Sequence, residues 1–132
     1  MGLFSNLFGW KDRRDGQIKK SLPWMPLEDL DQLEEIPEKS HTRPQVIFKH
    51  STSCGISRMV LNLFSDNNAA DADQADLYYV DVHRSRTISN EISDIFKVRH
   101  QSPQVVIIKN GSVAAHESHG AISEFNLSNY LK

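Results

Sequence analysis

The chain has 132 residues, of which 39% are hydrophobic and 24% charged, with a net charge of -2 from 15 Lys and Arg against 17 Asp and Glu. That length and balance fit one soluble globular domain with an ordinary core. They exclude a large basic patch, so nucleic acid is not expected as the main partner, and no run reaches the roughly 18 apolar residues needed to cross a membrane.

The start, "MGLFSNLFGWKDRRDGQIKK", places Leu3, Phe4, Leu7 and Phe8 at helical spacing before a basic, polar stretch. No positive region precedes the apolar part, which is short and interrupted, so a secretory signal is not expected. Asn6 stands where a myristoylation signal needs Ser or Thr. Residues 1–21 are expected to form a mobile tail and linker that includes Trp10. A weak membrane-surface or partner contact is its alternative use. The folded domain is expected over residues 22–132.

Within that domain, residues 23–26 read as a short extended piece carrying Trp24 into the core. Leu27, Leu30 and Leu33 follow at helical spacing, with Glu28, Asp29 and Asp31 in the first turn, where the helix dipole favours acids. Pro37 is expected to end or follow that helix. Residues 45–50 form a compact apolar strand signal. Ile56, Met59, Val60, Leu63 and Phe64 then make a clean amphipathic helix pattern.

Residues 67–76 read as a polar loop and 77–82 as a second strand. Ile88, Ile92, Ile95 and Phe96 give another helix, with Thr87 a candidate N-cap. Ser102-Pro103 leads into a buried strand at 105–108. Asn110-Gly111 is a strong two-residue hairpin signal, returning as a strand at 112–117. Ile122, Phe125, Leu127, Tyr130 and Leu131 suggest a closing helix. The order β-α-β-α-β-α-β-β-α predicts an α/β fold: a mixed central sheet, helices on both faces, and a C-terminal hairpin plus helix.

Cys54 is the only cysteine, so no intramolecular disulfide and no multi-thiolate zinc site can form. A reducing cytoplasmic setting is expected. The residue lies in "HSTSCGIS", between a strand signal and a helix signal. Free N–H groups and the dipole at a helix start favour a thiolate. Flanking residues Ser51, Thr52, Ser53, Gly55 and Ser57 are small and polar, unlike the apolar setting of a filler cysteine. Gly55 adds no side chain to shield the sulfur. Ser57 stands where a second cysteine of a Cys-x-x-Cys pair would be, and its hydroxyl is expected to face the sulfur. Any resolving thiol must then come from another molecule. Pro103 opens a buried strand that needs its N–H groups. It either merely starts that strand or, with a cis Ser102-Pro103 bond, presents backbone groups beside the sulfur.

The element order, the cysteine after the first long strand and the proline before the hairpin resemble the thioredoxin fold. The segments "PQVIFKHSTSCGISRMVL", "LYYVDVHRSRTISNEISDIFKVRHQSPQVVIIKNG" and "VAAHESHGAIS" more closely resemble the YtxJ-like family, the monothiol bacilliredoxins, over roughly residues 22–132. The resemblance implies a cytoplasmic oxidoreductase that removes bacillithiol from mixed disulfides on oxidised proteins. Cys54 would be the nucleophile with Ser57 and the cis proline Pro103 beside it, and Ser53, Gly55 and Ser102 would face the substrate. It further implies bacillithiol as co-substrate, no tightly bound cofactor, oxidised client proteins as partners, and a monomer. The family commonly has Thr-Cys-Pro-Ile-Ser where this chain has Ser53-Cys54-Gly55-Ile56-Ser57. That variant also resembles the Cys-Gly-Phe-Ser of monothiol glutaredoxins, which implies an iron–sulfur cluster carrier as the alternative. A redox-inert interaction module on the same fold is the third reading.

The six histidines show no ligand spacing. His116 and His119 fall around a strand end, and His50, His83 and His100 are irregularly placed. They are expected to be surface or loop residues, with His50 and His83 near the active edge as candidates for tuning Cys54. Asp81 is expected to be an ordinary edge residue, and Lys49 and Arg58 solvated charges. There is no Gly-rich phosphate loop and no Ser-His-Asp context.

Overall fold

A computed structural model describes residues 22–131. The tail expected over residues 1–21, with Trp10, lies outside the described residues. Five strands and three α-helices follow in the order β1 (Met25–Pro26), α1 (Leu30–Lys39), β2 (Gln45–His50), α2 (Gly55–Asn67), β3 (Asp76–Asp81), α3 (Arg86–Phe96), β4 (Gln104–Lys109) and β5 (Ser112–Ser118). The sheet runs β1-β3-β2-β4-β5. The first three of these pair in parallel, and β4 and β5 are antiparallel, so the sheet is mixed as expected.

Strand alternation sends side chains to opposite faces, and each face is covered. Ile47, Val80 and Val106 pack with Leu33 and Ile36 of α1 and Ile88 and Ile92 of α3. Phe48, Leu77 and Val105 pack with Val60 and Phe64 of α2. Trp24 closes that second cluster, with its ring 5.8 Å from Phe48 and 6.0 Å from Phe64. The hairpin turn needs positive φ at Asn110 (55°) and Gly111 (86°). A Cβ on Gly111 would also stand 3.1 Å from the His41 ring.

Four local expectations are corrected. Helix α1 starts after Asp29, whose side chain accepts from Gln32 N in a capping box, and Pro37 lies inside it rather than ending it. Residues 69–74 are not loop but a 3-10 segment. The N-cap of α3 is Ser85, not Thr87, because the Asp81 carboxylate already gathers the N–H groups of His83 and Arg84 into a turn. Finally, the closing helix is two 3-10 segments, His119–Glu124 and Leu127–Tyr130. In a continuous helix the Leu127 N–H would bond to Ser123 O. Here Asn68 Oδ1 accepts the Leu127 N–H at 2.7 Å, and Ser123 O accepts from Asn67 Nδ2. The C-terminal chain is thus fastened to the end of α2 instead of coiling on itself.

Candidate functional site

Strand β2 ends at His50, and four residues later α2 begins with Cys54 as its N-cap, in extended backbone at φ -109°, ψ 119°. The sulfur-bearing residue is half-buried and unpaired. The loop that carries it is tied at nearly every step. Cys54 N donates to Ser51 O at 3.1 Å, and Arg58 N donates to Cys54 O at 3.2 Å. The Arg58 guanidinium donates to Thr52 O at 3.0 Å, and Thr52 Oγ1 donates to Asp81 at 3.2 Å. Ser53 Oγ lies 3.2 Å from Ser51 Oγ. Gly55 is exposed, and a Cβ there would meet nothing within 4 Å. Openness on that side leaves the first turn of α2 accessible.

Ser57 is fully buried, and its hydroxyl does not simply face the sulfur. It lies 2.7 Å from His50 Nδ1 and accepts the Ser51 N–H at 3.1 Å. His50 is buried too, with its ring 5.5 Å from that of Tyr79. Burial pushes the His50 pKa down, Asp81 opposes this, and Arg58 adds to it. The ring is therefore neutral near neutral pH. His83, the other candidate for tuning Cys54, is exposed at the turn, and its backbone N–H donates to Asp81 at 3.0 Å.

Asp81 is more than an edge residue. Burial alone would raise its carboxyl, but hydrogen bonds from the Arg84 and His83 backbone and from Thr52 outweigh that and hold it below the usual carboxylate range. It joins the thiol loop to the start of α3. A cleft of about 270 Å³ runs beside it, lined by Thr52, Tyr79, Asp81 and Arg84 among others.

Pro103 immediately precedes Gln104, which pairs with Lys49 across the β2–β4 ladder. That register brings Pro103 to the same end of the sheet as the thiol loop. The Ser102-Pro103 bond is cis, so of the two readings of Pro103 the strand start carries the special bond. Ser102 Oγ and Gln104 Oε1 are buried with no hydrogen-bond partner among the described residues. The register thus puts the loop and first turn carrying Ser53, Cys54, Gly55 and Ser57 at the same end of the central strands β2 and β4 as Ser102 and Pro103.

Lys49 is a correction. It is not solvated but 0% exposed, on the α3 face of β2. Its Nζ lies 3.1 Å from Ser93 Oγ and 3.2 Å from His100 Nδ1. An ammonium only donates, so the His100 proton sits on Nε2. Burial lowers the Lys49 pKa to about 8. Burial and then Lys49 lower that of His100. The sequence carries a faint sign of this: one charged residue inside a strand of otherwise apolar character, with two serines at α3 positions four apart, Ser89 and Ser93. Among the described residues no group of three or more His, Cys, Asp or Glu is placed to hold a metal. No helix among them is long and apolar enough to cross a membrane.

The sequence profile described as monothiol bacilliredoxin BrxC matches residues 25–127. A solved structure described as a candidate oxidoreductase with a thioredoxin fold is 30% identical, with a TM-score of 0.66, covering 79% of this chain and 87% of that one. Thioredoxin of Malassezia sympodialis is 23% identical at a TM-score of 0.60, covering 78% and 84%. Thioredoxin of Trypanosoma brucei brucei is 14% identical at 0.63, covering 80% and 86%. The last two show the fold alone, which is that of thioredoxin.

Proposed function

Because the chain belongs to the monothiol bacilliredoxin family and is thereby a thiol oxidoreductase, we propose that it removes bacillithiol, or a similar small thiol, from mixed disulfides on oxidised proteins in the cytoplasm. The observation that carries this reading is the position of its single cysteine. Cys54 caps α2 on an accessible turn, and the residue three further on is a buried serine. With no second thiol in the chain, each exchange must pass through another molecule.

The Cys54 thiolate attacks the small-thiol sulfur of the client mixed disulfide. A new S–S bond forms between Cys54 and the small thiol as the old one breaks. The client sulfur leaves with the electron pair and takes a proton, so the client is reduced and Cys54 oxidised. A second small thiol then attacks the Cys54 mixed disulfide and frees the enzyme, leaving as the disulfide of two small thiols. Ser53, Gly55 and Ser102 are the proposed contacts for the incoming disulfide, and Pro103 the backbone against which it lies. The protein acts as a monomer with bacillithiol as co-substrate and no tightly bound cofactor.

Cys54→Ser tests the reading. The variant should release no client thiol while melting at the wild-type temperature. Client release at the wild-type rate would sink the assignment.

A further inference from the structure

Helix α2 carries more apolar side chains than the sheet covers. Val60 and Phe64 are buried in the core cluster on its face of the sheet. Ile56, Met59 and Leu63 are 63%, 54% and 40% exposed, and none of them belongs to either core cluster of the described residues. Spacings of three and four residues put these three on one side of the helix. Contiguous apolar surface of this kind, rimmed by exposed polar residues such as Arg58 and Asn62, marks a docking place.

The start of the described chain points to the occupant. Leu22 packs against the same cluster as Val60 and Phe64. The Trp24 ring lies 6.0 Å from that of Phe64, the residue after Leu63. The chain therefore enters the domain on the α2 side of the sheet. Upstream, Leu3, Phe4, Leu7 and Phe8 form an apolar set at helical spacing. Residues 11–21, between that set and Leu22, reach about 36 Å when extended. The whole of α2 is about 20 Å long, so every point of the stripe is in range. Residues 1–21 carry five Lys and Arg against two Asp, whereas residues 22–132 carry ten against fifteen Asp and Glu. The charges thus draw the segment toward the domain. Its tether also keeps it at high effective concentration beside α2.

We propose that residues 3–10 dock along α2 over Ile56, Met59 and Leu63, with Phe4 and Phe8 against the Met59 thioether, a pairing that sulfur and aromatic rings favour. Cys54 caps the same helix and Ile56 lies two residues on. A protein that approaches this surface has to displace the segment first. The docking depends neither on Cys54 reacting nor on which small thiol it carries.

Methionine-methyl NMR spectra of the full chain test this. The chain has three methionines, Met1, Met25 and Met59, and Met59→Leu identifies the Met59 signal. In the wild type that signal should lie upfield, under the Phe4 and Phe8 rings. Phe4→Ser combined with Phe8→Ser should remove the upfield shift, and so should Ile56→Ser combined with Leu63→Ser. Met25, on β1, should stay in place in both and report an intact domain. If the α2 variant does not fold, the Phe4 and Phe8 variant decides the matter. The wild-type shift should also be the same at every protein concentration, as contact within one chain requires. A Met59 signal unchanged by Phe4→Ser with Phe8→Ser overturns the inference. A shift that fades on dilution also overturns it, by making the occupant a second copy. A Met59 signal that moves only when a client protein is added does the same. So does Trp10 emission that moves to the blue only with phosphatidylglycerol vesicles while Met59 ignores the Phe4 and Phe8 changes, which assigns the segment to a membrane surface.

Discussion

Lys49 Nζ lies 3.2 Å from His100 Nδ1, with the whole lysine side chain out of solvent. Among the described residues no carboxylate is paired with it; its partners are a serine and a neutral imidazole. Burial brings its pKa from 10.5 to about 8. A depressed lysine pKa means the folded state disfavours the charged form. Below about pH 8 both states hold the proton and the full penalty is present. Between about 8 and 10.5 only the unfolded chain stays protonated, so stability rises with pH, by up to about 3 kcal/mol from this group. Urea midpoints from pH 7 to 10 should climb for the wild type. In Lys49→Met this part of the slope should vanish; an unchanged slope contradicts the assignment.

Ser57→Ala removes the group that satisfies both His50 Nδ1 and the Ser51 N–H. Leaving buried polar groups unpaired costs about 1–3 kcal/mol. Chemical denaturation of the reduced protein should show that loss. His50 adds an acid limb: its depressed pKa means that stability present above about pH 6.5 falls as pH drops toward the folded-state value. His50→Phe should flatten the limb between pH 6.5 and 5.

Gly55 is the first residue of α2, where the backbone N–H has no partner within the helix. Cys54 before it already has the extended backbone that a following proline requires. Space around Gly55 is open. Gly55→Pro is therefore expected to raise stability by about 0.4–1 kcal/mol by restricting the unfolded chain. A lower melting temperature would show that the glycine is needed for its backbone.

Asn68 ties three backbone groups: its Nδ2 donates to Phe64 O at 2.9 Å and Phe125 O at 3.1 Å, and its Oδ1 accepts from Leu127 N. It is buried. Asn68→Ala should cost about 3 kcal/mol and expose the C-terminal segment first. Hydrogen exchange should quicken at Leu127 before it quickens in β2. Uniform loss of protection would contradict this.

The strands and helices around the thiol were legible because their signals are local. Strand β2 matches its expected bounds, and the Asn110-Gly111 turn follows from backbone preference alone. What failed depends on distant partners. The closing apolar residues have a helical look, but Asn67 and Asn68, nearly sixty residues earlier, take the backbone groups that a helix would use. Lys49 looks like a surface charge until Ser93 and His100 are brought beneath it by α3 and the loop after it. The cysteine and proline positions in the sequence point to the strand ends that carry Cys54, Gly55 and Pro103. The His50–Ser57 contact needs the strand end and first helical turn together in space.

The most direct measurement is intact-mass analysis of Cys54 after incubation with a bacillithiol-capped client protein, with a glutathione-capped client alongside. Cys54 is expected to gain the mass of bacillithiol as the client appears as a free thiol, with slower transfer from the glutathione client. No mass gain from either client, with Cys54 still open to alkylation, would contradict it.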